Sequence, residues 1–148
     1  MHGNLAAKTM FKVARVQHRA GGFWSIEHPR DSYMWDLPGA RQIARWPGVR
    51  RIVGDQCCFG AASVKPTAWL TNGTFVEIMQ QKCPGQPDHP RHEPLVGMVK
   101  VPGGKWVSRT SLAAAYPREL CEVVAKEFKE WASEDFRPAP PIRISGKL

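Results

Sequence analysis

Residues 83–94, Cys-Pro-Gly-Gln-Pro-Asp-His-Pro-Arg-His-Glu-Pro, hold four prolines. Each proline removes a backbone donor, fixes its own φ and restricts the residue before it, so neither a helix nor a strand can run through this stretch. The chain must therefore build its regular structure on either side of an irregular loop.

Before that loop the pattern is a strand, a loop and a helix, twice over. Residues 4–20 predict a leading helix in which Lys8, Lys12, Arg15 and Arg19 recur at spacings of four, three and four, forming one narrow stripe. Leu5, Met10, Val13, Val16 and Ala20 are expected to face the other way, and Gly21-Gly22 closes the helix. A short strand is expected at Phe23-Trp24-Ser25-Ile26, with Glu27 where it gives way to the polar, proline-broken run 27–32. Pro38 suits the first turn of a second helix running to Trp46, with Ala40, Ile43 and Ala44 on its inner side and Pro47-Gly48 ending it. A second strand, residues 49–53, then opens into the small-residue loop 54–60. Two such units in series predict a parallel α/β sheet.

Thr67 to Leu70 and Phe75 to Met79 are short apolar runs, the second with Phe75, Ile78 and Met79 at helical spacing. Beyond the proline loop, residues 98–101 and 105–108 form a candidate hairpin around Pro102-Gly103-Gly104. Residues 117–132 predict a helix with Leu120, Val123, Val124, Phe128 and Trp131 on one stripe, Pro117 in its first turn, and Glu119 and Glu122 preceding Lys126 and Lys129. The length of 148 residues allows one domain, expected over 1–134, with a proline-rich extended tail over 135–148.

Twenty-one Lys and Arg against 13 Asp and Glu give a net charge of +8, and residues 1–51 hold nine of the basic and three of the acidic side chains. An excess so concentrated points to a polyanionic partner and carries no information about fold. The stripe on the first helix and Arg50-Arg51 are the candidate phosphate contacts; the alternative is that the stripe is the solvated face of a surface helix. Six Trp are spread through the chain, suited to core packing or, in basic surroundings, to stacking on bases. No apolar run approaches the ~18 residues of a membrane span. The first ten residues lack a secretory signal, so an intracellular location is expected.

No Gly-x-Gly-x-x-Gly follows a strand, Pro102-Gly103-Gly104-Lys105 lacks the spacing of a phosphate loop, and nothing resembles a nucleophile elbow. Cys83, His89 and His92 lie within ten residues of one another on the proline loop, and Cys58 or its neighbour Cys57 is available as a fourth ligand, a donor set suited to structural zinc. The alternative is an unmetallated polar loop beside a reduced thiol, as expected for cysteines in a reducing compartment. Glu27, after a hydrophobic strand and before Pro29, is placed to bind a base edge or to donate a proton, or else to cap backbone amides or pair with Arg30.

Several blocks carry a family likeness: residues 21–29, Gly-Gly-Phe-Trp-Ser-Ile-Glu-His-Pro, with Ser32 and Trp35; residues 55–60, Asp-Gln-Cys-Cys-Phe-Gly; Lys65-Pro66-Thr67 with Thr71-Asn72; and residues 116–121, Tyr-Pro-Arg-Glu-Leu-Cys. Together, over roughly residues 5–125, they resemble the later half of an S-adenosylmethionine-dependent methyltransferase-like domain, as in phage-type cytosine-5 DNA methyltransferases and copia-type retroelement polyproteins. The resemblance implies an α/β fold with an incomplete Rossmann-like sheet and flanking helices. It also implies that Glu27 corresponds to the glutamate that holds the target cytosine, with His28 standing where Asn is usual. The glycine-rich cofactor loop and Pro-Cys nucleophile that precede this glutamate in the family have no counterpart here, so covalent attack on cytosine has no nucleophile. The expectation is a catalytically incomplete, retroelement-derived module associated with nucleic acid, DNA rather than RNA. The alternative is a fragment that needs a complementary polypeptide to supply the S-adenosylmethionine half. A sheet missing its first strands would leave an exposed edge.

Overall fold

The computed structural model of the chain describes residues 2–86 and 91–134. Helix α1, His2–Arg19, ends as the paired glycines require: Gly21 sits at φ +72°, its amide bonds the His18 carbonyl at 3.2 Å, and the Gly22 amide bonds the Gln17 carbonyl at 2.8 Å. This is a Schellman closure, which needs a left-handed residue at its turn. The face that α1 turns inward is Ala7, Phe11, Ala14 and His18, while Leu5, Val13 and Val16 are exposed. Of the five residues expected on the apolar side, only Met10 packs against this core, and Ala20 is exposed with the other three. The helix has apolar residues on two opposite sides, and its one phenyl ring, flanked by two small alanines, packs on the inner one. Phe11 lies so close over Gly39 that a Cβ there would meet the ring at 2.6 Å.

Strand β1, Ser25–Pro29, is followed by a 3-10 turn at Tyr33–Asp36 and by α2, Pro38–Ile43, which buries Ala40 and Ile43 and leaves Ala44 exposed, contrary to the inward position expected for Ala44. Strand β2, Arg50–Asp55, a 3-10 turn at Gln56–Phe59 and strand β3, Pro66–Thr71, complete a three-stranded sheet in the order β1-β3-β2. Strand β3 runs antiparallel to both neighbours, with Leu70 opposite Ile26 and Arg51, and Trp69 opposite Glu27 and Ile52. The expected parallel pairing of β1 and β2 is thus replaced. They run in the same direction but are separated by β3, whose residues from Thr67 to Thr71 are all buried, as a central strand requires. The ten residues joining β2 to β3 are too few for the crossover that parallel neighbours need.

The alternation of side chains divides two cores across this sheet. On one face, Ile26 and Leu70 pack with Phe11, Trp24, Met34, Ile43 and Trp46. On the other, Ile52 and Trp69 pack with Phe59, Val76, Met79 and Leu120. The second layer is made by a 3-10 turn, Thr74–Met79, and by α4, Arg118–Glu134. The turn lies so near β2 that a Cβ on Gly54 would meet the Met79 carbonyl oxygen at 1.8 Å, so only glycine fits there. Strands β4, Met98–Lys100, and β5, Trp106–Ser108, form the expected hairpin around Gly103 and Gly104, both at positive φ, and lead into the short helix α3, Arg109–Leu112. The molecule is therefore a mixed α/β protein with two small antiparallel sheets. The tail expected over 135–148 lies outside the described residues. Among the described residues, no helix is long and apolar enough to cross a membrane.

Candidate functional site

Three features emerge at different places on this frame: a cysteine–histidine group, a cleft containing Glu27, and the basic face of α1. The cysteine–histidine group forms where the proline loop returns to the carboxyl end of β2. Cys57, in the turn after β2, is buried, and its ligand atom lies within 4.8 Å of those of Cys83 and His92, an arrangement that could hold a metal ion. Cys83 Sγ stands 3.6 Å from His92 Nε2. The Cys83 amide donates to Asp55 Oδ2 at 3.0 Å, and the Gly85 amide donates back to Cys83 Sγ at 3.4 Å, with Gly85 at φ +78°. Burial, reinforced by the neighbouring Cys83, pushes the Cys57 thiol up to about 12, and burial also raises Cys58.

The expected donor set leaves the choice between Cys58 and Cys57 open, and the geometry brings Cys57 to the group. Cys58 does not join the group; it packs against the core of Ile52 and Trp69, and Cys57 takes the inward place. Cys58 keeps its thiol beside that of Cys57, but only Cys57 lies within 4.8 Å of both Cys83 and His92, and sequence spacing alone does not say which of the two does. His89 lies outside the described residues. The four cysteines are thiols, with no disulfide among them.

Glu27 is not at a strand end. It is the third residue of β1, in register with Trp69, on the sheet face toward α4. There it lines a cleft of about 450 Å³ with Trp69, Phe75, Met79, Leu120 and Phe128. The Tyr116 phenol stands by the Glu27 carboxylate at the cleft; burial, together with that carboxylate, raises the phenol above its ordinary range, and Lys65 Nζ lies 5.0 Å over its ring. Arg30, the alternative partner for Glu27, instead pairs with Asp31 at 2.9 Å. Tyr116 was not singled out as a site residue from sequence, because its partner is 89 positions away and no local pattern links them.

No family model, curated protein or solved structure matches the chain.

Lys8 and Lys12 are exposed on α1, and Arg15 and Arg19 are half-buried beside them. Arg15 reaches α2, donating to Gln42 Oε1 at 2.6 Å and lying 6.0 Å over the Trp46 ring. The stripe therefore meets α2 through Arg15, beside the exposed Arg41 of α2, which pairs with Asp36 at 3.0 Å, and Arg45 in the turn that follows is exposed as well. Arg50 and Arg51 do not belong to this surface as a pair. Neighbouring strand residues point to opposite faces, and here Arg50 pairs with Glu77 while Arg51 donates to the Arg30 carbonyl at 2.8 Å and lies 5.4 Å over Trp35. The basic stripe and the face of β1 that turns Glu27 toward α4 lie on opposite sides of the sheet. Of the six tryptophans, Trp24, Trp46 and Trp69 are buried and Trp106 is largely exposed.

Proposed function

We propose that this chain is a catalytically incomplete, nucleic-acid-associated module that contacts phosphates through the α1 stripe and the adjoining α2. The single observation carrying this reading is that Arg15, on the stripe it shares with Lys8, Lys12 and Arg19, reaches across to Gln42 of α2, the neighbour of the exposed Arg41. A duplex presents a charge every ~1.7 Å along its axis, so a row of cations along one helix can neutralise several phosphates at once. The sequence blocks that resemble methyltransferase-like domains support DNA rather than RNA as the polyanion, a retroelement origin, and Glu27 as a vestigial base contact in an incomplete Rossmann-like sheet. The experiment is a fluorescence-anisotropy titration of labelled duplex DNA over a range of NaCl concentrations. With about four phosphates neutralised, log affinity falls against log salt with a slope of about −3 to −4. Charge reversal at Lys8 and Lys12 reduces that slope by about two. A flat salt response overturns the reading.

One observation favours a second reading, in which a partner polypeptide completes a methyltransferase. β1 is an edge strand. The Asn72 amide bonds the Trp24 carbonyl and the Arg30 amide bonds the Pro66 carbonyl, which fixes the hydrogen-bonded pairs at even positions of β1 and turns the amides and carbonyls of Ser25 and Glu27 toward the outer edge. Grooves flanked by Met10, Val13, Tyr33 and Leu37 run beside that edge, room for an added strand. Methyl transfer from S-adenosylmethionine to DNA, present only with the partner chain and lost in Glu27→Ala, supports this reading; transfer that persists in Glu27→Ala contradicts it.

A further inference from the structure

The group at the base of the proline loop carries an inference independent of nucleic-acid binding. We propose that Cys57, Cys83 and His92 bind one zinc ion, which clips the loop to the carboxyl end of β2.

Geometry is the first argument. In a tetrahedral site with Zn–S of ~2.3 Å and Zn–N of ~2.0–2.1 Å, a sulfur and a nitrogen ligand stand about 3.5 Å apart. Cys83 Sγ and His92 Nε2 are 3.6 Å apart, and all three ligand atoms fall within 4.8 Å of one another. An ion can thus enter with little movement of the chain.

The surroundings of Cys83 are the second argument. The Gly85 amide donates to its sulfur, and Asp55 fixes its backbone through the Cys83 amide. A backbone donor aimed at sulfur stabilises a thiolate, and such outer hydrogen bonds hold a metal ligand in place. The positive φ of Gly85 is what turns that amide back, and Pro84 stiffens the two-residue turn that does so.

Charge is the third argument. Two thiolates and a neutral imidazole offset a dication's two charges once both thiol protons leave to solvent on binding, giving a neutral centre suited to a half-buried position. Two sulfurs and one imidazole favour zinc over the oxygen-seeking magnesium or calcium.

The clip has a structural consequence. The loop beyond it carries Glu93, whose amide bonds the Ala62 carbonyl at 2.8 Å and whose carboxylate pairs with Arg109 at 3.2 Å. Fixing His92 therefore fixes the segment that ties the hairpin and α3 to the main sheet.

The test uses the full chain, reduced and stripped of metal, titrated with zinc against a chromophoric chelator and separately with cobalt(II) followed by absorption. The expected result is one equivalent bound, with thiolate-to-cobalt charge-transfer bands and ligand-field bands of tetrahedral strength. Cys83→Ser and His92→Gln each weaken binding by more than about 100-fold, beyond what losing an outer-shell partner costs. Cys58→Ser leaves the stoichiometry and the charge-transfer bands in place. Because Cys57→Ser alters a buried position, circular dichroism confirms that it folds before its loss of binding is scored. Absence of stoichiometric binding, or binding indifferent to Cys83→Ser and His92→Gln, overturns the proposal. So does a site lost in Cys58→Ser and retained in folded Cys57→Ser. DNA affinity plays no part in these readouts, so the site and the nucleic-acid reading stand or fall separately.

Discussion

On the α1 side of the sheet, Phe11, Ile43, Trp46 and Leu70 are each at most 8% exposed, whereas along α4 the packing row passes from Leu120 at 3% to Phe128 at 45%. The first side is closed by large apolar residues and by a hydrogen-bonded joint at Asn72 and Thr71. Asn72 accepts from the Trp24 amide at 2.9 Å and donates to the Gly22 carbonyl at 3.0 Å, while Thr71 donates to the Trp24 carbonyl at 2.7 Å. The second side is an open cleft held by tethers from distant segments: the Tyr116–Glu27 contact, the Arg109–Glu93 pair and the cysteine–histidine group. A side sealed by packing resists local opening, and a side held by a few long-range tethers is where binding and control are usually found. Here the basic stripe rides on the sealed side and the cleft on the tethered one.

The contrast breaks most sharply at Phe11. Phe11→Ala empties the contact between α1 and α2 and is expected to cost ~3–5 kcal/mol in urea unfolding, enough to threaten the fold. Gly54→Ala attacks the other side: the new Cβ must displace the Met79 carbonyl, costing ~1–3 kcal/mol. Hydrogen exchange should then rise across Thr74–Met79 while α1 keeps its protection; uniform loss of protection would show that the two sides open together.

A smaller effect belongs to His18, stacked 4.9 Å from the Trp46 ring and accepting from the Trp24 indole at 3.4 Å. Burial holds its pKa below the ordinary 6.5. The unfolded chain thus binds a proton that the folded chain refuses, so the contribution to stability is complete above about pH 6.5 and is lost as pH falls from there toward the folded pKa. Urea midpoints measured across that window should decline for the native chain and flatten in His18→Gln. The smallest change is expected at Phe128, where truncation to Ala costs less than about 1 kcal/mol because the ring is half in water already. A cost comparable to that of Phe11→Ala would erase the distinction between the two sides.

How much of this was legible in the sequence follows from the range of the interactions. The glycine closure of α1, the hairpin at Gly103-Gly104 and the span of α4 depend on neighbours a few residues away, and local patterns reach them. The strand order does not: β1 and β2 each precede a turn or helix in a way that suits parallel pairing, and only the insertion of β3 between them makes the sheet antiparallel. The inward face of α1 is not legible from apolar count alone, because Leu5, Val13 and Val16 make the opposite side look more apolar than Ala7, Phe11 and Ala14, and the contact that decides it, Phe11 on Gly39, is 28 positions away in the chain. The cysteine–histidine group was half legible: Cys83 and His92 share one loop, but that Cys57 rather than Cys58 comes within reach of both depends on the fold of the turn after β2. Tyr116 against Glu27 was beyond any local signal.

The central claim, that the sealed side presents the phosphate-binding face, is tested most directly by amide chemical-shift mapping of the full chain with a short DNA duplex at low salt. The account predicts perturbations along α1 from Lys8 to Arg19 and at Arg41 and Arg45, vanishing as NaCl is raised, with the amides around Glu27, Tyr116 and Phe128 unmoved. Perturbations confined to the cleft, or none at all, would contradict it.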